Sequence, residues 1–205
     1  MQKISTILPL QEAIFLKSAA KLSQCPRDVG SEIAFCGRSN AGKSSAINYL
    51  TDQQKLARTS KTPGRTQLIN FFSVTDSIRL VDLPGYGYAK VPIKVKSEWH
   101  RNIDAYFQNR QSLKGLILVM DIRHPLKEFD LMMLEWSKTA KINMHIILTK
   151  ADKFKRGTQQ STLFKVRKSV PEHVTVQTFS STTKIGKQIL VKQILSFIQD
   201  GVVKQ

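Results

Sequence analysis

Acidic residues are scarce in this sequence of 205 residues: 15 Asp and Glu face 32 Lys and Arg, a net charge of +17. A surface so short of negative charge repels basic partners and draws polyanions, with nucleic acid favoured over anionic membrane. Cysteine is scarcer still. Cys25 and Cys36 alone cannot build a disulfide framework or a four-ligand zinc site, so a reducing cytoplasm is expected. No apolar run approaches the roughly 18 to 20 residues that span a bilayer. The first residues also lack a basic stretch followed by an unbroken apolar one, because Pro9, Gln11, Glu12 and Lys17 interrupt it. A signal peptide is therefore disfavoured. Neither zinc-finger spacing nor an RNP1-like aromatic strand is present.

What remains is ordinary globular composition, 41% hydrophobic and 23% charged, in a chain sized for one core. The basic residues cluster twice. Residues 55–66 carry Lys55, Arg58, Lys61 and Arg65 with no acid, and residues 150–168 carry seven cations against Asp152 alone. Short apolar runs alternate with longer mixed segments, the pattern of an α/β fold. Strands are predicted at 32–36, 68–74, 78–82, 115–121, 144–149 and 174–179, and helices near 43–51, 94–110, 126–140, 158–170 and 186–199. Only Thr75-Asp76-Ser77 separates the second and third strands, too short for a crossover, so they form an antiparallel hairpin. Residues 1–30 read as an N-terminal extension packed on the domain, with a short helix near 10–22. A single domain follows over 31–200, and 201–205 form a tail.

The chemistry concentrates at strand ends. Gly37-Arg38-Ser39-Asn40-Ala41-Gly42-Lys43-Ser44 follows an apolar strand and opens a helix, matching G-x-x-x-x-G-K-[ST]. Such a loop turns its backbone N–H groups on a β-phosphate, with Lys43 reaching the β- and γ-phosphates and the Ser44 hydroxyl available to Mg²⁺. Asp82-Leu83-Pro84-Gly85 ends the strand IRLVD, where the carboxylate can hold Mg²⁺ through water and Gly85 can offer an N–H to a γ-phosphate. Alone, this tetrapeptide could be a plain turn. Thr149-Lys150-Ala151-Asp152 follows the strand MHIIL, and one carboxylate there can accept from both N1–H and the 2-amine of guanine. Adenine offers neither donor, so it would leave that carboxylate unpaired. Phe179-Ser180-Ser181 ends the next strand, where a backbone N–H could meet guanine O6. The four elements in this order mark the crevice where open α/β sheets bind ligands.

The segments GRSNAGKSS, KTPGRTQLINFF, DLPGYGYA, TKAD and FSS together resemble the EngB (YihA/YsxC) GTPases of the TrmE–Era–EngA–EngB–septin-like group, over about residues 30–200. The resemblance implies a Ras-like P-loop fold with a mixed six-stranded sheet, mostly parallel with one antiparallel strand. It implies GTP and GDP binding, Mg²⁺ and a bacterial source. It also implies a role in assembling the large ribosomal subunit through its rRNA, with effects on cell division and septation, by a cytoplasmic protein expected to be monomeric. Carried over by position, Gly37 to Ser44 hold the phosphates. Gly64, Arg65, Thr66, Gln67 and Leu68 form the first switch, with Thr66 joining Ser44 as metal ligand in preference to Thr62. Asp82, Leu83, Pro84 and Gly85 open the second switch. Thr149, Lys150, Ala151 and Asp152 read guanine, and Phe179, Ser180 and Ser181 close over the base. Lys43, Thr66 and Gly85 are the residues expected to act on the transferred phosphate.

Tyr86 stands where Ras-type enzymes carry a water-orienting glutamine, so slow intrinsic hydrolysis is expected. Asn40 matches an asparagine that helps seat K⁺ in relatives; its alternative role is to stabilise the loop turn. His145 lies in an apolar strand and reads as a satisfied core histidine, while His124 belongs to no motif. Trp99 and Trp136 read as packing residues and Cys36 as a small buried apolar one. Two other readings stay open on sequence: a P-loop kinase or ATPase acting on a small substrate, and a scaffold that binds GTP without hydrolysing it. Lys61 and Arg65, beside the first switch, are expected to present part of the basic surface only when GTP orders that segment.

Overall fold

The computed structural model describes residues 8–57, 68–85 and 93–200, with side chains of the last segment described from 101 onward. The expectations on Gly64, Arg65, Thr66, Gln67, Lys61, Thr62 and Tyr86 fall outside these residues, as does the Trp99 side chain.

Among the described residues, seven strands form one sheet in the order β1-β3-β4-β2-β5-β6-β7. These are β1 (Ile14–Ala19), β2 (Ser31–Gly37), β3 (Ile69–Ser73), β4 (Ile78–Asp82), β5 (Leu113–Asp121), β6 (Asn143–Thr149) and β7 (Thr175–Thr178). The helices are α1 (Lys43–Leu50), α2 (Ile93–Asn109), α3 (Glu128–Thr139), α4 (Arg156–Lys168) and α5 (Lys187–Asp200). Strands β4, β2, β5, β6 and β7 pair in parallel, and β3 is antiparallel to both of its neighbours.

This corrects two expectations. The sheet has seven strands rather than six, and the helix near 10–22 does not form. Residues 14–19 instead extend along β3, with Phe15 opposite Phe72 and Ala19 opposite Ile69. The Ser18 hydroxyl donates to Asn70 Oδ1 at 2.7 Å, and the Phe15 ring meets Phe72 edge-on at 6.1 Å. Pairing with a strand more than fifty residues away outweighs local helix preference.

The central strands are apolar on both faces because both are covered. Along β5, Leu116, Leu118 and Met120 face a layer built by α2, α3 and α4, including Tyr106, Phe107, Met133, Leu134, Leu163 and Val166. Ile117 and Val119 face the opposite layer, built by α1 and α5 with Ile47, Leu50, Leu190 and Ile194. Trp136 packs on Phe107 with ring centres 4.1 Å apart, as a packing residue should. Among the described residues no helix is long and apolar enough to cross a membrane.

Where the parallel strands begin, a buried charge cluster ties them together. Glu32, fully buried, accepts from Arg79 Nε (2.8 Å), Arg110 Nη2 (2.6 Å) and Nε (2.9 Å), and the Tyr106 hydroxyl (3.0 Å). Both arginines also donate to backbone carbonyls of residues 26–27, and Asp28 lies 3.5 Å from Arg110. The carboxyl ends of the strands are built differently.

Candidate functional site

Strand β2 delivers its chain into the loop at Gly37, and the loop turns back on itself before α1. Asn40 adopts a left-handed backbone (φ 62°), which asparagine tolerates, so its turn-forming role is realised. Gly42 follows at φ 100° and caps α1, a conformation that a side chain would strain. The first N–H groups of α1 therefore face the loop, and the helix dipole places positive potential there.

Asp82, the last residue of β4, lies in register with Phe35 of β2, and Leu83 N–H continues the ladder to Phe35 O at 3.0 Å. That register brings the Asp82 carboxylate to the Lys43 ammonium, with which it forms an ion pair and hydrogen bond. Gly85 lies flat against the phosphate loop: a Cβ there would sit 3.3 Å from Ser39 N and Cα. A side chain there would need its neighbours to give by a few tenths of an ångström, so glycine suits the close approach of this segment to the Gly37–Ser44 loop.

The second half of the site hangs from β6. The Thr149 hydroxyl donates to Ala41 O and lies 3.0 Å from Met120 O, locking the TKAD segment to the phosphate loop. Lys150, itself left-handed at φ 57°, donates to Asn40 O at 2.6 Å and pairs with Asp121 at 2.9 Å. Asp152 accepts from the fully buried Ser180 hydroxyl at 2.7 Å. That hydroxyl holds the Asp152 carboxyl below its ordinary range. The FSS segment is fixed to the same loop, since Ala151 N–H donates to Phe179 O at 3.1 Å.

Within the FSS segment the Phe179 ring is buried in the α1/α5 layer, 5.6 Å from Tyr49. The Phe179 and Ser180 amides are also engaged, by Leu148 O (2.8 Å) and Ile185 O (3.1 Å), which leaves Ser181 as the candidate donor to O6. Leu68 is exposed just ahead of β3. His145 is the satisfied core histidine expected, held between Thr175 Oγ1 (2.6 Å) and Gln177 Oε1 (2.9 Å). Cys36 is buried, which pushes its thiol up. His124 is exposed on the turn after β5.

Sequence reading missed Asp121. It ends β5 opposite Thr149 and receives both Lys150 and Arg123, the latter at 2.7 Å. Burial opposes its charge, but the Arg123 and Lys150 hydrogen bonds hold its carboxyl well below the usual range. The available signal was its place: like Asp82, it is a carboxylate closing an apolar strand.

Gly37, Asp82, Asp121 and Thr149 thus end four adjacent parallel strands, with the Gly37–Ser44 loop on one side and the Asp152 carboxylate on the other. The donors beside Lys43 are the Ser44 hydroxyl and the Asp82 carboxylate. These are hard oxygens of the kind Mg²⁺ takes alongside phosphate.

Residues 32–150, more than half of the chain, match the model of a family described as 50S ribosome-binding GTPases. A solved structure of a probable GTP-binding protein engB is similar at 24% identity and a TM-score of 0.68, over 83% of this chain and 100% of that one. The G domain of the T. maritima FeoB iron transporter is similar at 24% identity and 0.54, over 82% and 98%. Era, solved in complex with MgGDPNP and nucleotides 1506–1542 of 16S ribosomal RNA, is similar at 18% identity and 0.64, over 82% of this chain and 57% of that one.

Proposed function

This chain belongs to the 50S ribosome-binding GTPase family, and from that premise we propose an EngB-type switch that acts in large-subunit assembly and thereby in cell division. It binds GTP with Mg²⁺, engages the large ribosomal subunit or its precursor, and hydrolyses GTP slowly unless assisted. One observation carries the reading. The loop with Lys43 and the loop with Asp152 are bound to each other through Thr149–Ala41 and Lys150–Asn40, so phosphate and base recognition form a single rigid unit.

The residues divide the work as follows. Lys43, paired with Asp82, transfers its ammonium to the β- and γ-phosphate oxygens when nucleotide binds. The Asp82 carboxylate freed from Lys43 would hold Mg²⁺ through water, and the Ser44 hydroxyl and Thr66 would be the protein's direct ligands to it. Mg²⁺, when bound, neutralises charge on the β- and γ-oxygens. Gly85 offers its N–H to the γ-phosphate. Asp152, ionised and oriented by Ser180, accepts from guanine N1–H and the 2-amine. With Tyr86 in place of a water-orienting glutamine, hydrolysis depends on help from elsewhere, K⁺ near Asn40 being one source.

Two measurements test this. Single-turnover GTP hydrolysis, with and without large-subunit particles, is expected to be slow alone and faster with particles. Co-sedimentation with those particles is expected to be tighter with GTP than GDP and to weaken steeply with salt. Equal sedimentation in both nucleotides removes the switch.

A further inference from the structure

The basic run at 150–168 has only one member, Lys150, in the nucleotide site. Residues 153–171 contain no acid and six cations: Lys153, Lys155, Arg156, Lys165, Arg167 and Lys168. All six are exposed, and α4 carries most of them. Lys153 lies 3.5 Å from Asp152, and among the described residues none of the other five forms an ion pair. Leu163 and Val166 bury one side of α4. The opposite stripe is Gly157, Gln160, Ser161, Phe164, Lys165 and Lys168, all exposed.

Helix electrostatics account for part of this arrangement only. Cations in the last turn, Lys165, Arg167 and Lys168, suit the negative end of the dipole, and Arg167 also donates to Val176 O at 3.0 Å. Lys155 and Arg156 stand at the positive end, where cations are unfavourable and where no acid in the first turn offsets them. Their placement is unfavourable in the free protein and is offset by an external anion at that end. Phe164 adds something charge cannot explain. It is 59% exposed on the outward stripe, with the Lys168 ammonium 4.7 Å from its ring centre. A flat apolar ring flanked by unpaired cations is the pairing that recognises an unstacked base and its neighbouring phosphates.

We infer that the outward face of α4 is an RNA-binding surface, on which Phe164 stacks a single-stranded base while Lys165 and Lys168 neutralise the flanking phosphates. The RNA class rests on the ribosomal reading above; the stacking geometry does not.

The test uses the full chain with GDP and a fluorescent twelve-nucleotide uridine oligomer, with anisotropy read across a salt series. Phe164→Ala is expected to weaken binding roughly tenfold, the worth of one stacked base, and to leave the salt slope unchanged. Phe164→Trp restores it. The double change Lys165→Gln and Lys168→Gln is expected to lower the slope of log K against log salt by roughly 1.4, or about 0.7 per lost phosphate contact. GDP affinity stays at the wild-type value in all variants, which also reports that they fold. If Phe164→Ala binds the oligomer like wild type, the surface is general polyanion attraction and the inference fails. It also fails if Phe164→Ala weakens binding to phosphatidylserine vesicles as much as to RNA, which would assign the face to a membrane. Large-subunit sedimentation separates this inference from the function itself. Wild type and variants sedimenting alike overturns the α4 surface alone. Wild type failing to sediment overturns the ribosomal role, while the oligomer still decides the surface.

Discussion

The two ends of the sheet hold charge in opposite ways. Where the parallel strands begin, Glu32 is enclosed by Arg79, Arg110 and Tyr106, and both arginines continue to backbone carbonyls. Glu32 and both arginines each have several partners inside the fold, so none can be offered to a ligand. Where the strands end, Lys43 has Asp82, and Lys150 has Asp121 and Asn40 O. Those pairs stand at the carboxyl ends of the strands with few partners each, so an incoming phosphate can replace the carboxylate on Lys43. One end is built to stay closed and the other to exchange partners.

Breaking the closed end should cost most. Glu32→Gln leaves two buried guanidinium groups without their shared anion, and should lower stability by about 3–5 kcal/mol in denaturant unfolding. Nucleotide preference should survive in whatever fraction folds. His145, near the start of β6, gives a pH-dependent version of the same effect. Burial lowers its pKa to about 4, below the ordinary value of 6.5. The native state therefore binds fewer protons than the unfolded chain between those values, so the contribution is complete above about pH 6.5 and lost as pH falls toward 4. Its size is on the order of 3 kcal/mol. Thermal unfolding of His145→Gln across that window should show a flatter dependence on pH than wild type.

The open end should respond in binding rather than in stability. Lys43→Ala is expected to weaken GTP and GDP binding by about 1.5–3 kcal/mol, read by titration calorimetry. Its effect on unfolding should be smaller than that of Glu32→Gln, because it frees one carboxylate from a single ion pair rather than two guanidinium groups from their shared anion. A Lys43→Ala protein that unfolds as readily as Glu32→Gln would erase the contrast between the two ends.

Legibility followed the same division. The crevice was readable because phosphate and base chemistry demand particular residues at fixed spacing, from Gly37 to Ser44 and from Thr149 to Asp152. The hairpin over 68–82 was readable from a connection too short for anything else. Strand β1 was hidden, since residues 10–22 have helix-compatible composition and their partner β3 lies far along the chain. The Glu32 cluster was hidden too, because Glu32, Arg79 and Arg110 share no spacing and meet only through strand register. The burial of the Phe179 ring was not legible either, because it depends on which face the end of β7 turns toward α1 and α5.

The central claim is that one crevice reads a guanine nucleotide through Asp152. Displacement of fluorescent GDP by GTP, ATP and XTP, compared between wild type and Asp152→Asn, tests it most directly. GTP but not ATP should compete on wild type, and Asp152→Asn should transfer the preference to XTP, whose 2-oxo group accepts where guanine donates. Equal displacement by ATP on wild type, or an unchanged order on Asp152→Asn, would contradict the account.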